Sequence, residues 1–461
     1  MPIARAPDGM ARKSSSSKEC SPRFLIICRV IDEKASGSMS TRTRSFANPT
    51  TTITRNLASD LEESLKNLCG SDFARLEVKN LHAWAVAFYE RQVGRVSILD
   101  DPSKRQELMT QASAETSGED FDPRFYMDEW EQVVQPQDVT TKEEYFRARR
   151  VGRGTRLGRK QRAGVWPVLE RYRELLDKEG CVEWQDVVRE TRRFIEKQQV
   201  ELPYRAVLSD EVQDFTANEL KLLRALVPAG PNDLFVVGDA HQRIYGQMTR
   251  LGACGIEIRG RSRRLKLNYR TTEEIRNHAV AVLEGLEIDD LDGGIDSVKG
   301  YRSLRNGPKP QLLHQKRAED EERVIVETLR GWLETTPAEE ICLAARTNKA
   351  VEDRYAKILA QADIPRVLVM RSTSAEKGGI RLATMHRLKG LEFSKVILAG
   401  VHKGEVPKLY AGMALADEAS REDAEKQERC LFYVASTRAR DELVITGYGD
   451  QSPFLATGAS S

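Results

Sequence analysis

The sequence has no long apolar run and few cysteines. No stretch approaches the roughly 18 apolar residues of a membrane-spanning helix, and the nearest candidate, Phe24 to Ile31, is interrupted by Arg29. The 7 cysteines are scattered and form no Cys-x-x-Cys pair, which argues against a disulfide framework and against a tetrahedral zinc site. These absences predict a soluble, cytoplasmic protein in a reducing compartment, with no membrane partner.

The charges are balanced in number but uneven in position. Lys and Arg total 72 and Asp and Glu total 70, which gives a net charge of only +2. Residues 147–162 (RARRVGRGTRLGRKQR) nevertheless hold eight basic residues and no acid, and a second basic run occupies residues 259–266. Such runs are typical of phosphate binding, although a solvated surface loop explains a single run equally well.

The 461 residues are enough for about three structural units, with 40 % hydrophobic residues to build cores. Residues 1–46 are rich in Ser, Arg and Thr and predict a flexible tail. Residues 121–199 look mostly helical, with the first basic run inside them. Strand, helix and strand then alternate from Tyr204 onward and again toward the carboxyl end, which indicates two parallel α/β sheets.

The segment from Leu208 to Asp214 (LSDEVQD) combines an apolar strand with acids at its end. Asp210 and Glu211 form the kind of pair that magnesium-nucleotide hydrolysis needs, because one carboxylate can position the cation and its neighbour can accept the proton of the attacking water. Paired acids at the end of a strand are also common without any catalytic role. The motifs that follow along the chain favour the catalytic interpretation.

The set of motifs resembles superfamily 1 DNA helicases of the UvrD/Rep type, in family order over roughly residues 48–447. The matching segments are DEVQD (motif II), VVGDAHQRIYG (III), LKLNYRT (IV), LATMHRLKGLEF (V), LFYVASTRA (VI) and, upstream, TTITRNLA (Ia). Five ordered motifs of this kind do not arise by chance.

The resemblance implies ATP and Mg²⁺ as cofactors and single-stranded DNA, or a junction of duplex and single strand, as partner. The implied catalytic residues are Glu211, Gln242, Arg270 and Arg438, with Asp210 on the metal and Tyr269, Gly390 and Glu392 at the nucleotide. The implied DNA contacts are Thr51, Asn56, Tyr245, Thr384 and His386. The first basic run adds Arg153, Arg156 and Arg159 to the expected DNA contacts.

The implied fold has two RecA-like parallel-sheet domains of the P-loop NTPase type. We expect the first at residues 47–265, with a helical basic insertion at about 90–199, and the second at 266–450, with a reduced insertion at about 285–375. Residues 451–461 are expected to be a tail.

One family feature is missing. A P-loop has the pattern GxxxxGK[ST], in which backbone amides and a lysine hold the phosphates, and the sequence contains no Gly-Lys pair. Truncation, a misassigned start or genuine loss would each explain this. We therefore expect a 3′ to 5′ helicase or translocase by descent whose hydrolysis is deficient. The alternative is a single-strand-binding or scaffold protein that does not use nucleotide.

Overall fold

The computed structural model describes residues 65–117, 121–148, 150, 157–244, 249–291, 293–296, 300–369, 378–408 and 421–456, and the backbone of 24–29 and 418–420. These residues fold as two compact units. The first contains the described residues between 24 and 238 and between 249 and 258, and the second contains 239–244 and those from 259 onward. In these ranges no helix is both long and apolar enough to cross a membrane.

The first unit combines a four-stranded sheet with seven α-helices in its described part. The strands are β1 (Phe24–Arg29), β2 (Leu76–Asn80), β3 (Tyr204–Ser209) and β4 (Leu234–Val236). The helices are α1 (Leu81–Gln92), α2 (Pro102–Glu115), α3 (Pro123–Glu129), α4 (Lys142–Arg147), α5 (Arg159–Lys178), α6 (Trp184–Gln198) and α7 (Ala217–Ala225).

The strand order in the first sheet is β2-β1-β3-β4. Strands β3 and β4 are parallel and joined through α7, as the sequence predicts. Strand β1 is antiparallel to both of its neighbours, which departs from the expected all-parallel sheet. It also lies inside the predicted tail, so that prediction is wrong for residues 24–29, where the run FLIICR pairs its backbone with two strands instead of remaining unstructured.

Helices α2 to α5 build one hydrophobic core where the sequence predicts a helical insertion. The largest buried side chains there are aromatic: Tyr126, Trp130, Tyr145, Trp166 and Tyr172. The carboxylate of Glu183 is buried among them and accepts hydrogen bonds from Arg105 Nε at 2.6 Å and Trp130 Nε1 at 2.6 Å. A buried carboxylate with charged and neutral donors fixes how these helices meet.

The second unit is built on a six-stranded parallel sheet. Its strands are β7 (Gln311–Gln315), β8 (Ile341–Ala345), β9 (Arg366–Leu368), β10 (Ile380–Thr384), β11 (Phe393–Ala399) and β12 (Ala439–Tyr448), in the order β7-β12-β11-β8-β10-β9. The helices are α8 (Glu273–Ala281), α9 (Ala318–Leu333), α10 (Ala356–Gln361), α11 (Glu418–Ser436) and α12 (Pro453–Ala456). A separate two-stranded sheet contains β5 (Leu267–Thr272) and β6 (Arg302–Arg305).

The central strands of this sheet are buried on both faces, as covered parallel strands are. All five residues of β8 are buried, and so are six of the seven in β11. Residues 311–368 lie within the segment expected to be a reduced insertion, yet they supply β7, β8 and β9 to the sheet. Most of that segment therefore belongs to the sheet and the helices that cover it.

Candidate functional site

The end of β3 presents the two acids of motif II in different settings. Asp210 is exposed, and its Oδ1 accepts a hydrogen bond from the Glu211 backbone N–H at 2.8 Å. Glu211 has a left-handed backbone with φ of 55°, which is uncommon for a residue with a side chain. The side-chain amide of Gln213 donates to the Glu211 carboxylate. The turn and this amide therefore hold Glu211 in one orientation, while Asp210 stays open to solvent.

The ends of β3 and β4 are joined tightly beside these acids. The Val237 N–H donates to the Ser209 carbonyl at 2.8 Å, and the Val212 N–H donates to the Val237 carbonyl at 3.1 Å. A Cβ added to Gly238 would lie 2.7 Å from Gln213 Oε1 and 2.9 Å from Val212 Cγ2. The glycine of motif III is thus required by the close approach of the motif II turn.

In the second unit, Gln242 is held by contacts at both its side chain and its backbone. Its Nε2 donates to Asp239 Oδ2 at 2.9 Å, and its Oε1 accepts from Arg438 Nη2 at 3.1 Å. Its backbone carbonyl accepts from Lys389 Nζ at 2.7 Å. The structure thereby brings together residues of motifs III, V and VI that lie up to 196 positions apart in the sequence.

Arg438 is anchored between α11 and β12. Only 3 % of its surface is exposed, and its Nε donates to the Val434 carbonyl at 3.1 Å. Its Nη2 also lies 3.4 Å from Thr437 Oγ1. The guanidinium is therefore held by its own chain through Nε, and its Nη2 donates to Gln242.

Motif IV lies on an irregular stretch of β5. The pairing of β5 with β6 shifts register between Asn268 and Thr272. The Asn268 side chain accepts from the Arg270 N–H at 2.8 Å and donates to Thr271 Oγ1 at 2.7 Å. This turn presents Tyr269, which is 69 % exposed, and Arg270 to solvent.

A cavity of about 690 Å³ opens beside these two residues within the second unit. It is lined by Leu267, Asn268, Tyr269, Arg270, Arg305, Glu392 and Arg440. Three arginines, one glutamate and an aromatic ring suit a ligand that combines a planar ring with negative charge. The cavity therefore brings together three residues that the resemblance implies at the nucleotide: Tyr269, Arg270 and Glu392.

Within this cavity Arg270 and Glu392 contact each other, with 2.6 Å between Nε and Oε2. Arg305 donates from Nη1 to the Arg270 carbonyl at 3.0 Å and forms an ion pair with Asp441 on β12. Neither Arg305 nor Arg440 is among the residues predicted from the sequence. Arg440 could have been found, because it directly follows the segment that matches motif VI, whereas Arg305 has no such signal.

The predicted DNA contacts are only partly within the described residues. Thr384 is buried, and its hydroxyl accepts from the Arg387 N–H at 3.4 Å, so it begins the turn Met385–Leu388. His386 is half-buried within that turn, and Gly390 follows it with φ of 80°. The other predicted contacts outside the first basic run lie outside the described residues: Thr51, Asn56 and Tyr245.

The first basic run is less uniform than its sequence indicates. Arg150 forms two 2.7 Å hydrogen bonds with the buried Glu129, so one of the eight cations is neutralised. Arg162 donates to the carbonyls of Tyr145, Phe146 and Ala148 at the end of α4, at 2.7 to 3.1 Å. Arg159 is exposed and lies over the Phe146 ring at 5.5 Å. Arg153 and Arg156 lie outside the described residues.

Two family models match this chain. The UvrD/REP helicase N-terminal domain matches residues 28–248, and the UvrD-like helicase C-terminal domain matches residues 368–449. Together they cover about two thirds of the 461 residues and include the acids at the end of β3 and the arginine before β12. The chain belongs to the UvrD/Rep-like superfamily 1 helicases. Members of this family are ATP-dependent DNA helicases, and the parallel sheets of this chain are consistent with the family's fold of two RecA-like domains.

Relatives of this helicase include several curated DNA helicases. DNA helicase IV of Escherichia coli is 27 % identical over 312 residues, which covers 63 % of this chain and 40 % of the relative. A probable DNA helicase of Mycoplasma pneumoniae is 24 % identical over 253 residues, covering 53 % and 44 %. The ATP-dependent DNA helicase PcrA of Bacillus subtilis is 40 % identical over 85 residues, covering 18 % and 11 %. Each alignment thus spans less than half of the relative's own length.

Proposed function

We propose that this chain is by descent a 3′ to 5′ translocase that binds single-stranded DNA, alone or at a junction with duplex. The 461 residues by themselves are expected not to hydrolyse ATP. The observation that supports the proposal is an incomplete set of the residues that phosphoryl transfer needs. The carboxylates and arginines of a phosphoryl-transfer site are present, but no Gly-Lys pair exists to begin a phosphate-binding loop. Five free cysteines among the described residues support a reducing, cytoplasmic location.

The residues present fit a magnesium nucleotide in part. Asp210 is an exposed carboxylate at the end of a parallel strand, and Mg²⁺ commonly takes one or two carboxylates together with substrate phosphates. When bound, the ion would neutralise charge on the β- and γ-phosphates. Tyr269 would lie against the base, and Glu392 would lie near the ribose. Arg270 and Arg438 would meet the γ-phosphate.

The surface of β4 supports the absence of a phosphate-binding strand and loop. In the described part of the chain, β4 pairs only with β3. Its run LFVV predicts a strand buried on both faces, yet Phe235 is 63 % exposed and Val237 is 41 % exposed. A backbone cradle supplies several charge-assisted hydrogen bonds of about 1.5–3 kcal/mol each. Without them, ATP affinity is expected to fall by several orders of magnitude.

The second candidate function is a single-strand-binding or scaffold protein that does not respond to nucleotide at all. The missing Gly-Lys pair favours it, because a fold retained without a cradle can still bind phosphates of DNA. One measurement distinguishes the two functions: whether Mg-ATP at millimolar concentration changes the affinity of the chain for single-stranded DNA. A change supports the translocase by descent, and its absence supports the scaffold. The presence of GxxxxGKT in coding sequence immediately upstream, in any frame, would also favour the translocase.

The salt dependence of DNA binding tests the proposed nucleic-acid partner. Replacing Arg153, Arg156 and Arg159 with Ala is expected to weaken binding of an oligodeoxythymidine and to flatten the plot of log affinity against log salt. The slope should fall by roughly 0.7 for each phosphate that the variant no longer neutralises, because fewer counterions are released. Fluorescence anisotropy at several salt concentrations measures both quantities.

A matched control removes three exposed cations from the second unit instead. Arg317, Arg323 and Lys357 on or beside α9 and α10 pair with nearby acids, and their replacement with Ala should leave the slope unchanged. An unchanged slope in the variant that lacks Arg153, Arg156 and Arg159 would indicate that the basic run is a solvated surface loop and does not contact DNA. No binding by the wild-type chain at low salt would contradict the proposed function itself.

A further inference from the structure

His241 lies one position before Gln242 and has no role in the sequence interpretation. Its side chain is 7 % exposed. The Nδ1 atom lies 3.0 Å from Asp239 Oδ1, and the His241 backbone N–H donates to the same oxygen at 3.0 Å. The other oxygen of Asp239 accepts from Gln242 Nε2. The Asp239 carboxylate is therefore shared between the imidazole and the glutamine amide.

This sharing fixes which way the glutamine amide faces. With Nε2 donating to Asp239, the Oε1 atom is turned toward Arg438 Nη2, 3.1 Å away. A rotated carboxylate would release Nε2, and a flipped amide would place N–H groups against a guanidinium, which has no acceptor. The contact between Gln242 and Arg438 therefore depends on the orientation of Asp239.

We propose that His241 is a positioning residue of the motif III turn: it orients the Asp239 carboxylate, which in turn holds Gln242 against Arg438. The role deepens the proposed function and rests on it, because the family resemblance implies that Gln242 senses the γ-phosphate and couples its presence to the nucleic acid. His241 acts through Asp239 and does not need to contact the nucleotide or the nucleic acid.

The groups around His241 make its effect depend on pH. Asp239 faces it from its own turn, and Asp296 Oδ2 lies 3.7 Å from Nδ1. Arg264 approaches Asp296 at 3.2 Å, and the Tyr433 ring of α11 lies 6.2 Å from the imidazole. Burial lowers the pKa of His241, but the hydrogen bond and charge of Asp239 and the charge of Asp296 outweigh burial and the opposing charge of Arg264, so the pKa is raised above 6.5.

The direction of the pH effect follows from that raised pKa. Protonated His241 contributes its full interaction with Asp239 below pH 6.5 and loses the ionic part as pH rises through the raised value. Burial raises the pKa of Asp239, but the bonds from His241 and Gln242 lower it overall, so the carboxylate stays ionised across this range. The turn is therefore expected to be held most firmly on the acidic side of neutrality.

The test compares three variants of the full chain with the wild type. His241→Asn places an amide N–H near the Nδ1 position and cannot become charged. His241→Ala removes the donor, and Asp296→Asn removes the second acid. Asp320→Asn, at a carboxylate of α9 that contacts Arg317 and Arg323, is the matched control. Thermal unfolding of each variant checks that the fold is kept.

Two readouts are used. The pKa of His241 is measured by NMR titration of chain labelled at histidine Cε1, where the signal absent from His241→Asn identifies it among the 6 histidines. The pKa should be lower in Asp296→Asn and unchanged in Asp320→Asn. Affinity for an oligodeoxythymidine is measured by anisotropy from pH 6 to 8. His241→Ala should bind at least about fivefold more weakly, at the lower end of typical coupling between sites, and His241→Asn should bind like the wild type without its pH dependence.

The outcomes separate the inference from the proposed function. Equal weakening in His241→Asn and His241→Ala, or a pKa that Asp296→Asn does not move, would overturn the positioning role. A wild-type chain that binds no DNA at any pH would overturn the proposed function, while the NMR titration would still decide whether Asp296 raises the pKa of His241.

Discussion

In a version of this chain that carries an added amino-terminal strand and a GxxxxGKT loop, Glu211→Gln should keep Mg-ATP binding and lose turnover by about 100-fold or more. The amide preserves the shape of the side chain and removes the proton acceptor, and general-base catalysis typically contributes 10²- to 10⁴-fold. The left-handed backbone of Glu211 and the amide of Gln213 fix where that acceptor lies. Phosphate release in the presence of single-stranded DNA gives the turnover, and binding of a fluorescent ATP analogue gives the affinity for nucleotide.

Glu107→Gln is the control for that variant, because Glu107 is an exposed glutamate of α2 that pairs with Lys104. Its turnover should match the unsubstituted version. Near-normal turnover in Glu211→Gln would show that Glu211 is not the general base. Lost nucleotide binding in the same variant would instead assign the glutamate to the metal.

The second large effect is expected at Arg438. In the same P-loop version, Arg438→Lys should lower DNA-stimulated turnover by about 10³-fold, the lower end of what an arginine finger contributes. A lysine keeps the positive charge but lacks the planar guanidinium, whose Nε donates to the Val434 carbonyl while its Nη2 donates to Gln242. Turnover and nucleotide affinity measured together separate a loss in the transition state from a loss of binding.

Lysine is preferred to alanine at this position because Arg438 is buried, and alanine would remove the hydrogen bond that its Nη2 donates to Gln242 Oε1. Arg323→Ala, on the exposed face of α9, removes a cation without touching motif VI. It should retain full turnover and the wild-type unfolding midpoint. Full turnover in Arg438→Lys would show that a point charge suffices and would contradict the expected need for the planar guanidinium.

The parts of the fold that could be predicted are those that local pattern determines. The strand–helix–strand unit from Tyr204 to Val236 follows from two apolar runs separated by an amphipathic segment, and the structure has it. Asp210 and Glu211 could be placed at the end of β3 for the same reason, whereas Arg438 precedes β12 and Tyr269 lies within β5. The sequence favours Trp84 and Trp166 as core residues rather than base-stacking platforms, and both are buried.

The parts that could not be predicted depend on contacts between distant residues. The sequence places Arg150 in a basic run, and nothing in its pattern pairs this residue with Glu129, 21 positions earlier. His241 meets Asp296 across 55 positions, and Arg305 meets Asp441 across 136. Strand β1 could not be foreseen because six residues inside a polar segment carry no periodicity, and only pairing with β2 and β3 gives them a structure.

The measurement that tests the central claim most directly is phosphate release from ATP by the unmodified 461-residue chain, with and without an oligodeoxythymidine whose binding is followed by anisotropy in the same samples. We predict that the chain binds the oligonucleotide with a salt-dependent affinity and that phosphate release stays at the level of buffer alone in both conditions. DNA-stimulated release that Glu211→Gln abolishes would contradict the account, because it would mean that another segment of this chain holds the phosphates.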